Sequence, residues 1–152
     1  MKTTVFFLIL IFTTCNAQKN SGDIAKKDHQ GNDDGLILMV SDPYSGIEVA
    51  ETLIIKDAKS LQKFYSQINR TRKPGLPVPD IDFSEEIVVI RCSGATDKGA
   101  MPHLFIMEET EDELVLGTKE TDNDSRSTAV TTPFSAYRMP LTKKEVIVRE
   151  EY

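Results

Sequence analysis

Two cysteines and two histidines are the side chains best suited to nucleophilic or metal chemistry near neutral pH, and the chain has no others: Cys15, Cys92, His29 and His103. A thiol works as a nucleophile only beside a base that lowers or accepts its proton. Cys92 and His103 are the one pair that a turn could bring together. Cys92 shares strand parity with Val88 and Ile90, however, which predicts a small buried hydrophobe rather than an exposed thiol. His29 lies in a polar stretch with almost no apolar residues and reads as solvated. Carboxylates come in groups at Glu85-Glu86, Glu108-Glu109 and Glu111-Asp112-Glu113. Glycoside hydrolysis needs two of them held across a cleft, and these sit at strand ends and turns, where solvated charge is the ordinary state. Asp122-Asn123-Asp124-Ser125 offers hard oxygen ligands of the kind calcium takes, but lacks the glycine and the distant glutamate of an EF-hand loop. Gly-x-Ser-x-Gly, HExxH, CxxC and P-loop motifs are all missing. The residues therefore point away from an enzyme, and imply no cofactor and no metal.

The elements that would position these groups follow from the apolar pattern. The chain is organised around residues 80–94, whose middle, Ile87-Val88-Val89-Ile90, is an unbroken β-branched run. That predicts a strand buried on both faces in the middle of a sheet. Residues 36–40 predict a first strand, Ser41 to Gly46 a turn, and residues 47–56 an alternating strand with Ile47, Val49, Leu53 and Ile55 on one face. The two runs are expected to pair as a hairpin. Asp57 is placed to cap a helix over about residues 58–70, with Leu61, Phe64, Tyr65 and Ile68 forming its apolar stripe. Residues 104–107 and 114–118 predict a second hairpin, and residues 134–139 and 146–148 the last two strands. The expected fold is α+β: a single β-rich domain of antiparallel, sandwich-like sheets with about seven strands and one packed helix.

Composition sets the class. At 39% hydrophobic and 28% charged residues the chain has enough apolar side chains for a core. The 18 Lys and Arg residues lose Lys2 with a leader, against 24 Asp and Glu, which makes the mature chain one unit more negative than the −6 of the full sequence. Such a balance disfavours nucleic acid, whose binding depends on cations neutralising phosphates. Residues 1–17 read as a signal peptide, with Lys2 followed by an apolar run from Val5 to Phe12 that is too short to span a bilayer. Two processing readings stay open. Cys15-Asn16-Ala17 suits ordinary signal peptidase. Phe12-Thr13-Thr14-Cys15 reads as a relaxed lipobox, with Cys15 the lipidated residue and the lipid the only membrane contact. Residues 18–35 read as a disordered polar tether, and residues 36–152 as the folded domain. Cys92 then has no partner for a disulfide, so an exported domain must stand on its core alone.

Binding is expected in the loops at one end of the sandwich. The first is the stretch from Arg70 to Pro79, where Arg70, Arg72 and Lys73 cluster in an acidic protein and Pro74, Pro77 and Pro79 stiffen the backbone. This stretch reads either as a rigid crossover, with its cations at the helix C-terminus, or as a contact loop for an acidic partner. The second is residues 95–101, with Asp97, Lys98, Gly99 and Met101, and His103 just after it. The third is residues 120–132, with Asp122, Asp124 and Arg126.

Pro79-Asp80-Ile81-Asp82-Phe83-Ser84, the apolar strand after it and Gly94 resemble the PrcB-type protease complex subunit family of bacterial exported proteins. So does the ending: Thr132-Pro133-Phe134, a strand to Met139-Pro140, Lys143, and Val146-Ile147-Val148. The resemblance covers about residues 61–150, with Asp82, Phe83, Gly94, Pro133 and Phe134 as its structural motif. At residues 95–101 the chain departs from the family's glycine-rich turn. The resemblance implies a non-catalytic β-rich domain, exported to the cell envelope or secreted, often lipid-anchored, that binds and stabilises a protein partner such as a secreted protease. Protease inhibition through the same loops is the alternative.

Overall fold

The computed structural model describes residues 35–121 and 129–150. The leader, Cys15, almost all of the tether, and Asp122, Asp124 and Arg126 lie outside the described residues. Seven strands and one helix follow in the order β1 (Ile37–Asp42), β2 (Glu51–Ile55), α1 (Ala58–Ile68), β3 (Glu86–Cys92), β4 (Pro102–Glu109), β5 (Glu113–Glu120), β6 (Phe134–Pro140) and β7 (Glu145–Glu150). This is the expected α+β, β-rich architecture. A four-stranded sheet runs β1-β6-β3-β2 and a three-stranded sheet β4-β5-β7.

β3 occupies the interior position its β-branched run demands. Ile87, Val88, Val89 and Ile90 are all fully buried. Period-2 alternation sends them to two different cores. Val88, Ile90 and Cys92 join Phe134 and Ala136 of β6 under Leu61, Phe64, Tyr65 and Ile68 of α1. Ile87 and Val89 join Leu104, Leu114 and Leu116 of the second sheet. The molecule is thus three layers: helix, four-stranded sheet, three-stranded sheet. Burying a Leu, Ile or Phe side chain contributes about 1.5–3 kcal/mol, so the doubly covered β3 and β6 carry the largest share.

α1 starts where its cap says it should. The Asp57 carboxylate accepts the backbone N–H of Ser60 at 2.8 Å and its hydroxyl at 2.7 Å. It ends at Ile68, with Asn69 as C-cap. The Asn69 side chain then clasps Leu76, donating to its carbonyl and accepting its amide, each at 2.8 Å. Leu76, Ile81 and Phe83 pack on the helix-side core, so the proline-rich crossover is anchored along its length.

Three expectations are corrected. β1 and β2 form no hairpin. β1 pairs with β6 and β2 with β3, at opposite edges of one sheet, with the two strands buried on both faces, β3 and β6, between them. β2 also begins only at Glu51. Ile47 is buried by loop packing, while Val49 is 76% exposed. The sheets are not wholly antiparallel either. β5 and β7 pair parallel, because the chain passes through β6 in the other sheet between them, and one reversed strand restores the original direction. Finally, Arg70, Arg72 and Lys73 lie beyond the last helical turn, which holds no basic residue, so the helix dipole is not what places them.

Candidate functional site

Cys92 and His103 do not meet in a site. Cys92 is fully buried on the helix side of the four-stranded sheet. His103 stands on β4 of the other sheet, its ring 6.2 Å from that of Tyr137 in the inter-sheet core. Burial, reinforced by the Glu51 charge, pushes the Cys92 thiol up to about 12. It stays protonated at neutral pH and is a poor nucleophile. Among the described residues no three His, Cys, Asp or Glu side chains gather closely enough to hold a metal ion.

The loops at one end do converge. Ser45 N–H donates to the Thr132 carbonyl at 2.7 Å, and Thr132 N–H to that of Pro43 at 3.0 Å. Gly46 N–H reaches the Thr132 hydroxyl at 2.9 Å. Thr96 and Thr131 exchange backbone bonds of 2.9 and 2.8 Å. Ala95 N–H donates to Glu48 at 2.9 Å and Ser93 N–H to Pro133 at 2.9 Å. Gly94 makes this knot possible. Its φ is +78°, and a Cβ there would lie 2.8 Å from the Ala50 amide and 2.9 Å from the Glu48 carbonyl, so only glycine fits. The other motif residues are structural in the same way. Asp82 accepts the Ser84 amide at 2.9 Å in the turn before β3. Phe83 packs beside α1. Pro133 is fully buried. Phe134 meets the Phe64 ring edge-on at 5.5 Å.

Arg72 ties the proline-rich loop to this end. It grips Asp42 with two parallel hydrogen bonds of 2.7 and 2.6 Å and also donates to the Tyr44 carbonyl. Planar guanidinium and carboxylate match in this two-pronged geometry. Burial of the Asp42 carboxyl works to raise its pKa. The bonds from Arg72 and the Tyr44 amide outweigh that and hold it below the usual 3.8.

Next to this clamp opens a cleft of about 540 Å³ lined by Tyr44, Gly46, Gln67, Arg70, Thr71 and Thr132 among others. Tyr44 is 55% exposed, and Arg70 is exposed and makes no ion pair with a described residue. An aromatic ring and an uncommitted arginine on a rim that is otherwise hydrogen-bonded tight are the residue types that dominate protein–protein contacts.

The residues expected from sequence divide. Arg70 and Arg72 reach this cleft, Arg72 as its buttress. Lys73 is exposed beside Pro74. Lys98 lines a different depression of about 470 Å³ with Arg91, Lys119, Glu120 and Glu150, and pairs with Glu120 at 3.4 Å. Asp97 is exposed beside it, and Gly99 turns the chain at φ +65°. The Met101 carbonyl is taken by the Thr121 amide at 3.1 Å. His103 lies opposite Lys119 in the β4–β5 ladder. Sequence reasoning missed Tyr44 and Gln67. A large aromatic at the tip of the Asp42-Pro43-Tyr44-Ser45-Gly46 turn was the available signal, since turn tips rarely bury such a ring. No protein-family model, curated protein or solved structure matches this chain.

Proposed function

We propose that this protein is a non-catalytic interaction module of the bacterial cell envelope, exported and either lipid-anchored at Cys15 or secreted. It binds and stabilises a protein partner such as a secreted protease. The observation that carries the reading is the cleft at the loop end, where Tyr44 and Arg70 stand exposed on a scaffold fixed by the Arg72–Asp42 clamp and the Gly94 knot. Rigid presentation of an aromatic and an arginine lowers the entropy lost on association. The resemblance of residues 79–94 and 132–148 to the PrcB-type family points to the same role.

The test is a crosslinked pull-down from the native envelope fraction, repeated with Tyr44→Ala and Arg70→Glu. A specific partner that is lost with both variants supports the reading. A partner retained by both variants refutes this cleft as the binding site. Activity of a captured protease separates a stabilising subunit, which preserves cleavage, from an inhibitor, which abolishes it. The intact mass of the bait decides between acylated Cys15 and a chain beginning at Gln18.

A further inference from the structure

The cleft has an extension. β2 ends the four-stranded sheet, and among the described residues no strand pairs with its outer side. Such an edge leaves alternate backbone N–H and C=O groups without ladder partners. α1 folds back alongside this edge, and between them runs a groove of about 320 Å³ lined by Leu53, Ile54, Ser60, Lys63, Phe64 and Gln67. Ser60, Lys63, Phe64 and Gln67 stand at i, i+3, i+4 and i+7, one stripe of the helix. The groove thus has a main-chain edge on one side, a helix wall on the other, and apolar side chains between. Gln67 lines both this groove and the Tyr44–Arg70 cleft, so the two adjoin at that side chain.

Charge identifies the occupant. Residues 56–73 contain Lys56, Lys59, Lys63, Arg70 and Lys73, besides Arg72, whose charge Asp42 takes up, and a single acidic residue, Asp57, which is committed to the helix cap. This basic strip belongs to a chain of net charge −6. Glu51 is the one carboxylate on the groove wall. A second copy of the chain is a poor occupant, because a symmetric β2–β2 pairing brings two basic helices together.

We propose that the β2–α1 groove takes an extended, acidic segment of the partner protein as an added strand, with the partner chain running on past Gln67 into the cleft at Arg70. The inference rests on the reading of the cleft as a partner site and names the chemistry of what enters it. β2 supplies main-chain hydrogen bonds along five residues, about 17 Å of ladder. The helix wall from Ser60 to Gln67 is shorter, about 10 Å, so the bound strand outruns it. Apolar side chains of the segment rest on Leu53 and Phe64, and acidic ones meet Lys63 and Arg70. Main-chain bonding provides affinity in this mode, and the alternating side chains provide selectivity.

The probe is a fluorescein-labelled peptide of alternating Glu and Val, compared with its alternately N-methylated form and with a form carrying Lys for Glu, all titrated against the full chain. The parent peptide is expected to bind and to slow amide exchange along residues 51–55. N-methylation removes the ladder donors and is expected to weaken binding at least about tenfold. Lys63→Glu, on the exposed side of the helix, is expected to weaken it about fivefold without loss of folding. Equal binding of the N-methylated peptide, protection confined to the cleft, no binding of the parent, or concentration-dependent dimerisation through residues 51–55 each overturns strand addition. Failure here is distinguishable from failure of the cleft reading. A native partner lost with Arg70→Glu but kept with Lys63→Glu leaves the cleft standing and removes the added strand. A partner kept with both removes the cleft reading itself.

Discussion

The two outer layers solve the same problem in opposite ways. Over the four-stranded sheet, α1 brings Leu61, Phe64, Tyr65 and Ile68 down onto Val88, Ile90, Cys92 and Phe134 and seals them from water. Over the three-stranded sheet no helix lies among the described residues. There β5 places Gly117 on the outer face, and Phe105 and Met107 of β4 lie across it, so that a Cβ at Gly117 would come within 2.4 Å of the Phe105 ring. The Lys119 ammonium stands 5.3 Å from the centre of that ring. Val115, on the same face, is buried by its neighbours within the sheet. One face is covered by a separate element, the other by its own side chains laid flat over a glycine. The first creates an edge groove and a basic strip as by-products of docking a helix. The second leaves an outer face made of the sheet's own side chains, with no helix wall beside it among the described residues. The candidate site accordingly lies on the helix side.

Deepening the contrast at its most buried point has the largest expected effect. Phe134→Ala removes a fully buried ring that also meets Phe64, and is expected to cost about 3–5 kcal/mol in urea unfolding. A loss under 1 kcal/mol would mean that the helix layer is not a packed core. Gly94→Ala tests the knot that gathers the loops. The left-handed backbone and the close Ala50 and Glu48 main chain predict a loss of about 2–4 kcal/mol, together with faster amide exchange at residues 45–50 and 95–96. Stability unchanged from wild type would show the loops are gathered by something else.

Arg72→Ala removes the clamp of the helix-side cleft and is expected to cost about 1–2 kcal/mol at pH 7. Its pH dependence has a definite sign. The Asp42 carboxyl is held below 3.8 in the folded protein, so its contribution is complete above that value and is lost as pH falls through and below it. Wild type and variant are therefore expected to converge in acid denaturation below about pH 3.8; parallel curves down to pH 2 contradict the clamp. Cys92 gives the opposite slope. Its thiol is raised to about 12 from an ordinary 9.0, so folding loses stability as pH rises from 9 towards 12. At pH 8 iodoacetamide is expected to label Cys92 only after denaturant is added, as read by peptide mass mapping. The smallest change is on the open face. Phe105→Ala removes a partly exposed ring and is expected to cost about 1 kcal/mol. A cost matching that of Phe134→Ala would erase the distinction between the two layers.

Local pattern was enough for the elements, because a strand or helix that buries one face must repeat its apolar residues at that element's period. Ile87 to Ile90, the Leu61–Ile68 stripe and the Asp57 cap could be read directly, as could the burial of Cys92 that takes it out of nucleophilic chemistry. Strand pairing could not be read this way. β1 and β2 are adjacent in sequence and joined by a plausible turn, yet they lie at opposite edges, because which strands sit centrally depends on the competition among all seven for two-sided burial. The parallel β5–β7 pair has the same origin, in a partner strand recruited from a different sheet. The site divides likewise. The cations at Arg70 and Arg72 were visible as a cluster in an acidic chain. That Arg72 is bound to Asp42 while Arg70 is left beside Tyr44 was not, since Asp42 and Arg72 are thirty positions apart, and only the packing of α1 on β3 and β6 brings their ends together.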